Sequence, residues 1–505
     1  MMEDNESSAR EISFYEVLGI GKKYSYPQCT DDSKQLHVVD DENSGGKLML
    51  DINCVLAGNP KGDHGIIKVE KNRDENDKGI VKSHVPKQEL DDVLPPCTVG
   101  GERRQKLETR SKTSGQAKKG SIGRRVTKME VIDLRSLLID CAKSIAADDR
   151  LAADDFLKQI RQHSSPFGDG NQRLAHYFAD GLEARLAGTG SQIHKSLIYK
   201  LTITYDYLRA YHTFLESSPF GAVSFFAANK LMTIKSKEAT RVHVIDFGIH
   251  FGFQWPTFIQ SLAEREGGPP KLRITGIDFP QAGADRIQET GRRLAHYAET
   301  FNVPFEYNVI AQDWETIKVE DLKIDKDEFV AVNCLYRAQN LRDEIGLEDS
   351  SRTMVLNLIR KINPGIFIHG IVNGSYGVPF FLTRFREALF RFSAVYDMLE
   401  TNIPRESPER MLIETGIFGK EALNVIACEG WERVERPETY KQWRMRHLRS
   451  GFVQIPFERE LIDSAMYKVK KFYHREFVID EDIKWLLMGW KGRTIYAMSC
   501  WQPAV

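Results

Sequence analysis

Apolar residues begin to recur at regular intervals only from about residue 130. Val131, Leu134, Leu138, Cys141 and Ile145 are separated by threes and fours, the spacing of one face of an amphipathic helix. Ala153, Phe156, Leu157 and Ile160 repeat it, and Ser164-Ser165-Pro166 then interrupts the pattern. Leu174, Phe178, Leu182 and Leu186 form a third stripe that closes near Gly188 and Gly190. Ile203, Tyr207, Ala210, Tyr211 and Phe214 form a fourth. Ser218-Pro219 reads as an N-cap followed by proline at the first helical position, opening a fifth helix from Phe220 to about Ile234.

The period then changes. Val242-His-Val-Ile-Asp246 is a short apolar run ending in an acid. A glycine-bearing turn, Phe247 to Gly252, leads back to helical spacing at Trp255, Phe258, Ile259 and Leu262. Lys271 to Asp278 is a second such run, followed by a helical stripe of Ile287, Leu294, Ala298 and Phe301. Phe305 to Ile310, Phe329 to Cys334 and Ile366 to Val372 are further strand candidates, the last followed by a helix with Phe381, Phe385, Leu389, Phe392 and Tyr396 on one face. Alternating strands and helices imply a parallel sheet with right-handed crossovers. Ile483 to Trp490 and Arg493 to Trp501 flank Lys491-Gly492 and read as a closing antiparallel hairpin. The predicted fold is α/β: a Rossmann-like, class I methyltransferase-like sheet over residues 236–505, with an α-helical cap over 130–235.

Residues 1–129 lack this order. They are rich in Asp, Asn, Lys, Ser and Gly, and such a segment buries too little apolar surface to offset its ordering entropy. A disordered N-terminal arm is predicted. One island, Ile12 to Ile20, reads either as a fluctuating hydrophobic cluster or as a segment that orders on a partner. Between Gly101 and Lys128 the arm is basic, with doublets at Arg103-Arg104, Lys118-Lys119 and Arg124-Arg125 and only Glu102 and Glu108 opposing them. Lys118, Lys119, Arg124 and Arg125 are nuclear-import candidates, since extended basic clusters suit acidic receptor grooves. A solvated linker is the plain alternative.

Composition narrows the partners. The 505-residue chain has a formal net charge of −1, so affinity for polyanions must come from a local patch. No apolar run is long enough to span a membrane. The seven cysteines are scattered without a C-x-x-C pair, which argues against a disulfide framework or a thiolate zinc site. The acidic start, MMEDNESSAREISFYEV, resembles neither a secretory signal nor a transit peptide. A reducing compartment, cytosol or nucleus, is expected.

The turn after Asp246 is the one place where cofactor chemistry is conceivable. A glycine turn after a first strand can cradle a nucleotide-like ligand, and an acid ending the second strand can hold ribose hydroxyls. Gly248, Gly252 and Asp278 are the candidates. A G-x-G-x-x-G fingerprint would need glycine at position 250, where His250 stands between Ile249 and Phe251. Those side chains would crowd an approaching cofactor, so none is expected. No zinc-protease, nucleophile-elbow or Walker pattern occurs, and His243, His250 and His369 are not spaced as local metal ligands. No catalytic or metal-binding residue is predicted. Leu134, Leu137 and Leu138 fit an L-x-x-L-L pattern that can lay a helix into a coregulator groove. They also sit on the stripe expected to face a core.

Several segments, in order, resemble the GRAS family. Val242-His-Val-Ile-Asp246 resembles its VHIID motif, with valine in place of the first isoleucine. The helical stripes before it and the Ile287 to Phe301 helix resemble the family's two leucine-rich regions. Pro304-Phe305 with Phe381-Leu-Thr-Arg-Phe-Arg-Glu387 is similar to the PFYRE region. Arg433 to Trp443 and Gly489 to Trp501 resemble the closing SAW region. Gln162 to Asn171 and Phe367 to Ser375 point to the scarecrow-like subgroup. Leu335 to Ile345 departs from the more apolar stretch expected there. The resemblance implies a nuclear plant regulator of transcription that docks on DNA-binding factors and pairs with itself or another GRAS chain, as a homo- or heterodimer. Sequence-specific DNA binding and S-adenosylmethionine-dependent methyl transfer are the alternatives.

Overall fold

The computed structural model describes residues 132–202, 205–280, 283–342 and 350–504. The arm, its four import candidates and Val131 lie outside the described residues.

Six helices come first. α1 (Leu134–Ala146) starts at Asp133, whose carboxylate accepts from the Arg135 and Ser136 amides. α2 (Arg150–His163) is capped by Asp149. α3 (Gly170–Leu186) opens with a reciprocal capping box between Asp169 and Gln172. α4 (Gly190–Thr202), α5 (Tyr205–Ser217) and α6 (Pro219–Lys235) follow. The periodic reading passed over α4. It took Gly190 for punctuation, whereas a β-carbon there would come within 2.5 Å of Ala427, so close packing explains the glycine. At α6, Ser218 stands in the cap position and Pro219 at the first turn. The Ser218 hydroxyl donates back to Phe214 O at 2.9 Å instead of capping.

The sheet carries β1 (Arg241–Phe247), β2 (Lys271–Asp278), β3 (Phe305–Ala311), β4 (Phe329–Leu335) and β5 (Ile366–Val372) in parallel. Helices α7 (Trp255–Ala263), α8 (Ala284–Thr300) and α9 (Ser351–Ile362) lie in the crossovers. After β5 come α10 (Phe381–Asn402), α11 (Pro408–Ile413), a π-turn at Glu414–Gly419, α12 (Lys420–Ala427) and α13 (Tyr440–Arg449). The chain ends with β6 (Phe452–Ile455), α14 (Arg459–Phe472), β7 (Phe477–Asp482), β8 (Trp485–Trp490) and β9 (Arg493–Pro503). The strand order is β3-β2-β1-β4-β5-β9-β8-β7, with β6 pairing the end of β9. β9 runs antiparallel between β5 and β8.

Alternation along the strands divides the core. Val242 and Val244 of β1, with Ile366 and Ile368 of β5, face the cluster that includes the helical layer. Ile245, Phe247, Phe367 and Ile371 face a second cluster built on Trp314, Trp443 and Trp501. The helical layer also draws on the later segment, because the Phe178 ring on α3 meets Phe385 and Phe392 of α10, each at 5.7 Å. Arg173 on α3, fully buried, pairs with Glu414 of the π-turn at 2.8 Å.

The β8–β9 hairpin turns at Lys491 and Gly492, both at positive φ, as a two-residue turn of this twist requires. Ile483, read from the sequence as the start of a strand, lies with Lys484 in the β7–β8 turn, again at positive φ. An apolar β-branched residue in that conformation is rare, which is why its hydrophobicity misled the reading.

Candidate functional site

The order of the sheet reverses at β1, whose neighbours are β2 and β4. In an open α/β sheet, ligands bind in the crevice beyond the carboxyl ends of the strands at such a point. Gly248 to Phe253, Asp278 and the residues after β4 surround it.

The turn is tied to β2. The amides of Gly248 and Ile249 both donate to Ile277 O, at 2.9 and 3.1 Å. Gly248 has φ +109, and a β-carbon on it would lie 2.3 Å from Arg337 Cγ. Gly252 has φ +72, and its β-carbon would lie 2.8 Å from Thr290 Cγ2 on α8. Both glycines are therefore required by the approach of the chain's own side chains. His250 occupies the left-handed region, and its ring lies 5.5 Å from that of Tyr211 on α5.

Asp278 ends β2, as the sequence reading had it, and is fully buried. Its Oδ2 accepts from Arg286 at 2.7 Å. Its Oδ1 accepts from Arg337 at 3.0 Å and from the Phe279 amide at 2.9 Å. Burial pushes its pKa up, but the guanidinium of Arg337 and then that of Arg286 outweigh this and hold it at about 2. Arg286 lies over the Phe251 ring at 5.1 Å and Arg337 over Phe279 at 5.6 Å. Three hydrogen bonds thus fall on Asp278, and a ribose diol would compete with them for its oxygens.

Sequence reasoning missed both arginines. Arg337 sits in the Leu335 to Ile345 stretch, whose polar departure from the family pattern was visible without its consequence. Tyr336, at φ +64, turns the chain there, and its amide donates to Gly370 O at 2.7 Å.

Beside this cluster lies a second polar group. Asp246, at the end of β1, accepts from Trp255 Nε1 at 2.9 Å and from Asn333 Nδ2 at 3.0 Å. Burial pushes its carboxyl up to about 7. Gln254 accepts from Asn333 at 3.2 Å and donates to Asn229 on α6 at 3.0 Å. A cavity of about 160 Å³ opens here, bounded by the β1 turn, α5, α6 and the π-turn.

His243, His369 and His447 are core residues. His243 Nε2 meets Thr275 Oγ1 at 2.8 Å. His369 Nδ1 meets His447 Nε2 at 3.1 Å, and His447 stacks on Trp501 at 4.3 Å. Among the described residues, no three His, Cys, Asp or Glu side chains converge as metal ligands. Of the L-x-x-L-L residues, Leu138 is buried, and Leu134 and Leu137 pack half-buried against the same core.

The strand order, the antiparallel closing strands and the helical layer define a Rossmann-like, class I methyltransferase-like fold. Residues 134–502 match the model of the GRAS domain family, and the chain belongs to that family. It is 60% identical to Scarecrow-like protein 9 of Arabidopsis thaliana over 379 residues, covering 74% of this chain and 52% of that protein. It is 53% identical to Scarecrow-like protein 14 of the same plant over 382 residues, covering 75% of this chain and 50% of that one. The chain thus spans about half the length of these relatives. Scarecrow-like transcription factor PAT1, also of Arabidopsis thaliana, is 32% identical over 374 residues, 73% of this chain and 76% of its own. Among solved structures, SCL7 of Oryza sativa is similar, with a TM-score of 0.64 at 28% identity, over 74% of this chain and 100% of that one.

Proposed function

We propose that the chain is a non-catalytic regulator of transcription in the plant nucleus, acting by docking on DNA-binding factors and on other GRAS chains. One observation carries the reading against catalysis. The acid that would hold a cofactor ribose has both carboxylate oxygens engaged by the protein's own guanidinium groups. The stem of one of those arginines also lies across Gly248, where a cofactor backbone contact would form. Family membership and a relative named as a transcription factor supply the regulatory sense.

The test has two arms on the full chain. Tagged protein purified from plant nuclei should bring DNA-binding factors with it. The purified chain alone should not retard DNA at physiological salt, and S-adenosylmethionine should give no heat of binding in calorimetry. Retardation of a specific sequence by the pure chain would replace docking with direct reading. Saturable heat with S-adenosylmethionine would restore the enzymatic alternative.

A further inference from the structure

The cavity beside Asp246 has a use that the locked Asp278 does not exclude. It lies at the reversal point of the sheet, where open α/β folds take their ligands. Its volume of about 160 Å³ is comparable to the apolar cavity of about 150 Å³ known to admit benzene, enough for a compact organic molecule.

The charges around it are unequally served. Arg286 and Arg337 share Asp278. Lys420 faces Glu435 at 3.5 Å, and Glu421 takes Arg391 at 3.1 Å. Asp246 differs, for its carboxyl accepts from Asn333 and Trp255, which are both neutral donors. Asn333, which also lines the cavity, reinforces the asymmetry. Its amide nitrogen faces two acceptors, Asp246 Oδ1 and Gln254 Oε1, and this orientation fixes the amide against a flip. Its Oδ1 is therefore committed as an acceptor, and it is buried with no hydrogen-bond partner among the described residues. A buried acceptor left in this way keeps its full desolvation penalty. Arg337 and Lys420 also line the cavity, but they pair with Asp278 and Glu435, so the Asp246 carboxyl meets neutral donors alone.

The remaining wall is aromatic. Tyr211 stacks on Phe253 with centroids 5.5 Å apart at 29°, and Tyr336 meets Tyr496 edge-on at 4.9 Å. All four rings line the cavity. Ring faces attract organic cations, most strongly where water is excluded, and a buried carboxylate gains more from a cation at contact than a surface one does.

We propose that this cavity is a binding site for a small primary amine with an apolar body. The ammonium donates toward Asp246 and Asn333, and the body packs on the Tyr211–Phe253 wall. The site requires no methyl donor and does not depend on the docking reading.

Isothermal titration of the full chain with 2-phenylethylamine, 2-phenylethanol and phenylacetate at pH 8, above the value of about 7 to which burial raises Asp246, tests it. These probes share a body and differ in the head group. The amine should bind at least tenfold more tightly than the alcohol, and the acid should bind more weakly than either. Asp246→Asn should bring the amine to the level of the alcohol, and Tyr211→Ala should weaken both. Because Asp246→Asn could disturb the fold through Trp255, the ranking on the unaltered chain stands as an independent criterion. No binding of the amine at millimolar concentration would overturn the proposal. So would equal binding of amine and alcohol, a preference for the acid, or an amine preference that survives in folded Asp246→Asn.

Discussion

The side chain of Arg337 lies across Gly248, filling the volume that a β-carbon at that position would need, with Cγ 2.3 Å from the ideal β-carbon site. Two independent costs follow for any substitution there. One is the backbone conformation, φ +109, which a side chain disfavours by on the order of 1–3 kcal/mol. The other is the clash, which the flexible arginine stem can partly relieve by moving. Gly248→Ala should therefore lower stability in urea by about 1–3 kcal/mol. In Gly248→Ala/Arg337→Ala the loss should fall short of the sum of the single losses by at least about 0.5 kcal/mol. Strict additivity would mean that the two residues do not meet.

Arg337 also serves Asp278. Its folded pKa of about 2 lies below the ordinary 3.8. The pair therefore contributes stability that is present above about pH 4 and is lost as pH falls through the folded value. Arg337→Met leaves a buried carboxylate with Arg286 alone and raises its pKa. At pH 7 the variant should be less stable by about 1–3 kcal/mol. The gap should narrow below about pH 5, because the variant takes up its proton before the native protein does. A gap that widens on acidification would contradict this pairing.

His447 makes the opposite kind of buried group, a base held neutral. Burial lowers its pKa from 6.5 to about 3, although its hydrogen bond to Trp443 O at 2.6 Å favours the charged form. The stability tied to this depressed value is complete above pH 6.5 and is lost as pH falls toward 3. His447→Asn keeps a donor toward Trp443 and removes the titration. The dependence of unfolding free energy on pH should then flatten by up to about 1.4 kcal/mol per unit within that window. Chemical denaturation at half-unit pH steps measures it, and parallel slopes for the two proteins would refute the assignment.

The strands were legible because their apolar runs are short, end in acids or glycines, and alternate with helical spacing. Val242 to Asp246 and Lys271 to Asp278 coincide with β1 and β2 to within a residue at each end. What failed was local in form and distant in cause. Gly190 looks like a helix breaker until Ala427 is placed against it. Ile483 looks like a strand residue until its turn is seen. The cleft shows the same limit. Gly248 and Asp278 are recognisable by position, but the arginines that pair with Asp278 come from 8 and 59 residues beyond it. Pairing across such separations leaves no periodic mark in the chain.

The basic segment of the arm supports a test of its own. Four alanines at Lys118, Lys119, Arg124 and Arg125 remove two of its three doublets, the feature suited to acidic import grooves. A fluorescent fusion of the full chain carrying them should shift from nucleus toward cytoplasm in plant cells. The same four positions changed to the opposite basic residue should keep the native distribution. Unchanged nuclear accumulation of the alanine protein would place the address elsewhere.

The leucines of α1 separate packing from docking. Leu138 is 1% exposed, whereas Leu134 and Leu137 are half-buried at the rim of the same core. For Leu138 to enter a partner's groove, α1 would have to leave that core, at a cost comparable to losing the side chain. Leu138→Ala should destabilise the chain by about 2–5 kcal/mol. Leu134→Ala, which removes less buried surface, should cost no more than about 1.5 kcal/mol. If the three leucines instead form a docking face, Leu138→Ala would leave urea unfolding nearly unchanged and weaken partner capture as much as Leu134→Ala does. The two outcomes are opposed in both measurements, so unfolding and capture on the same pair of variants decide which surface α1 presents.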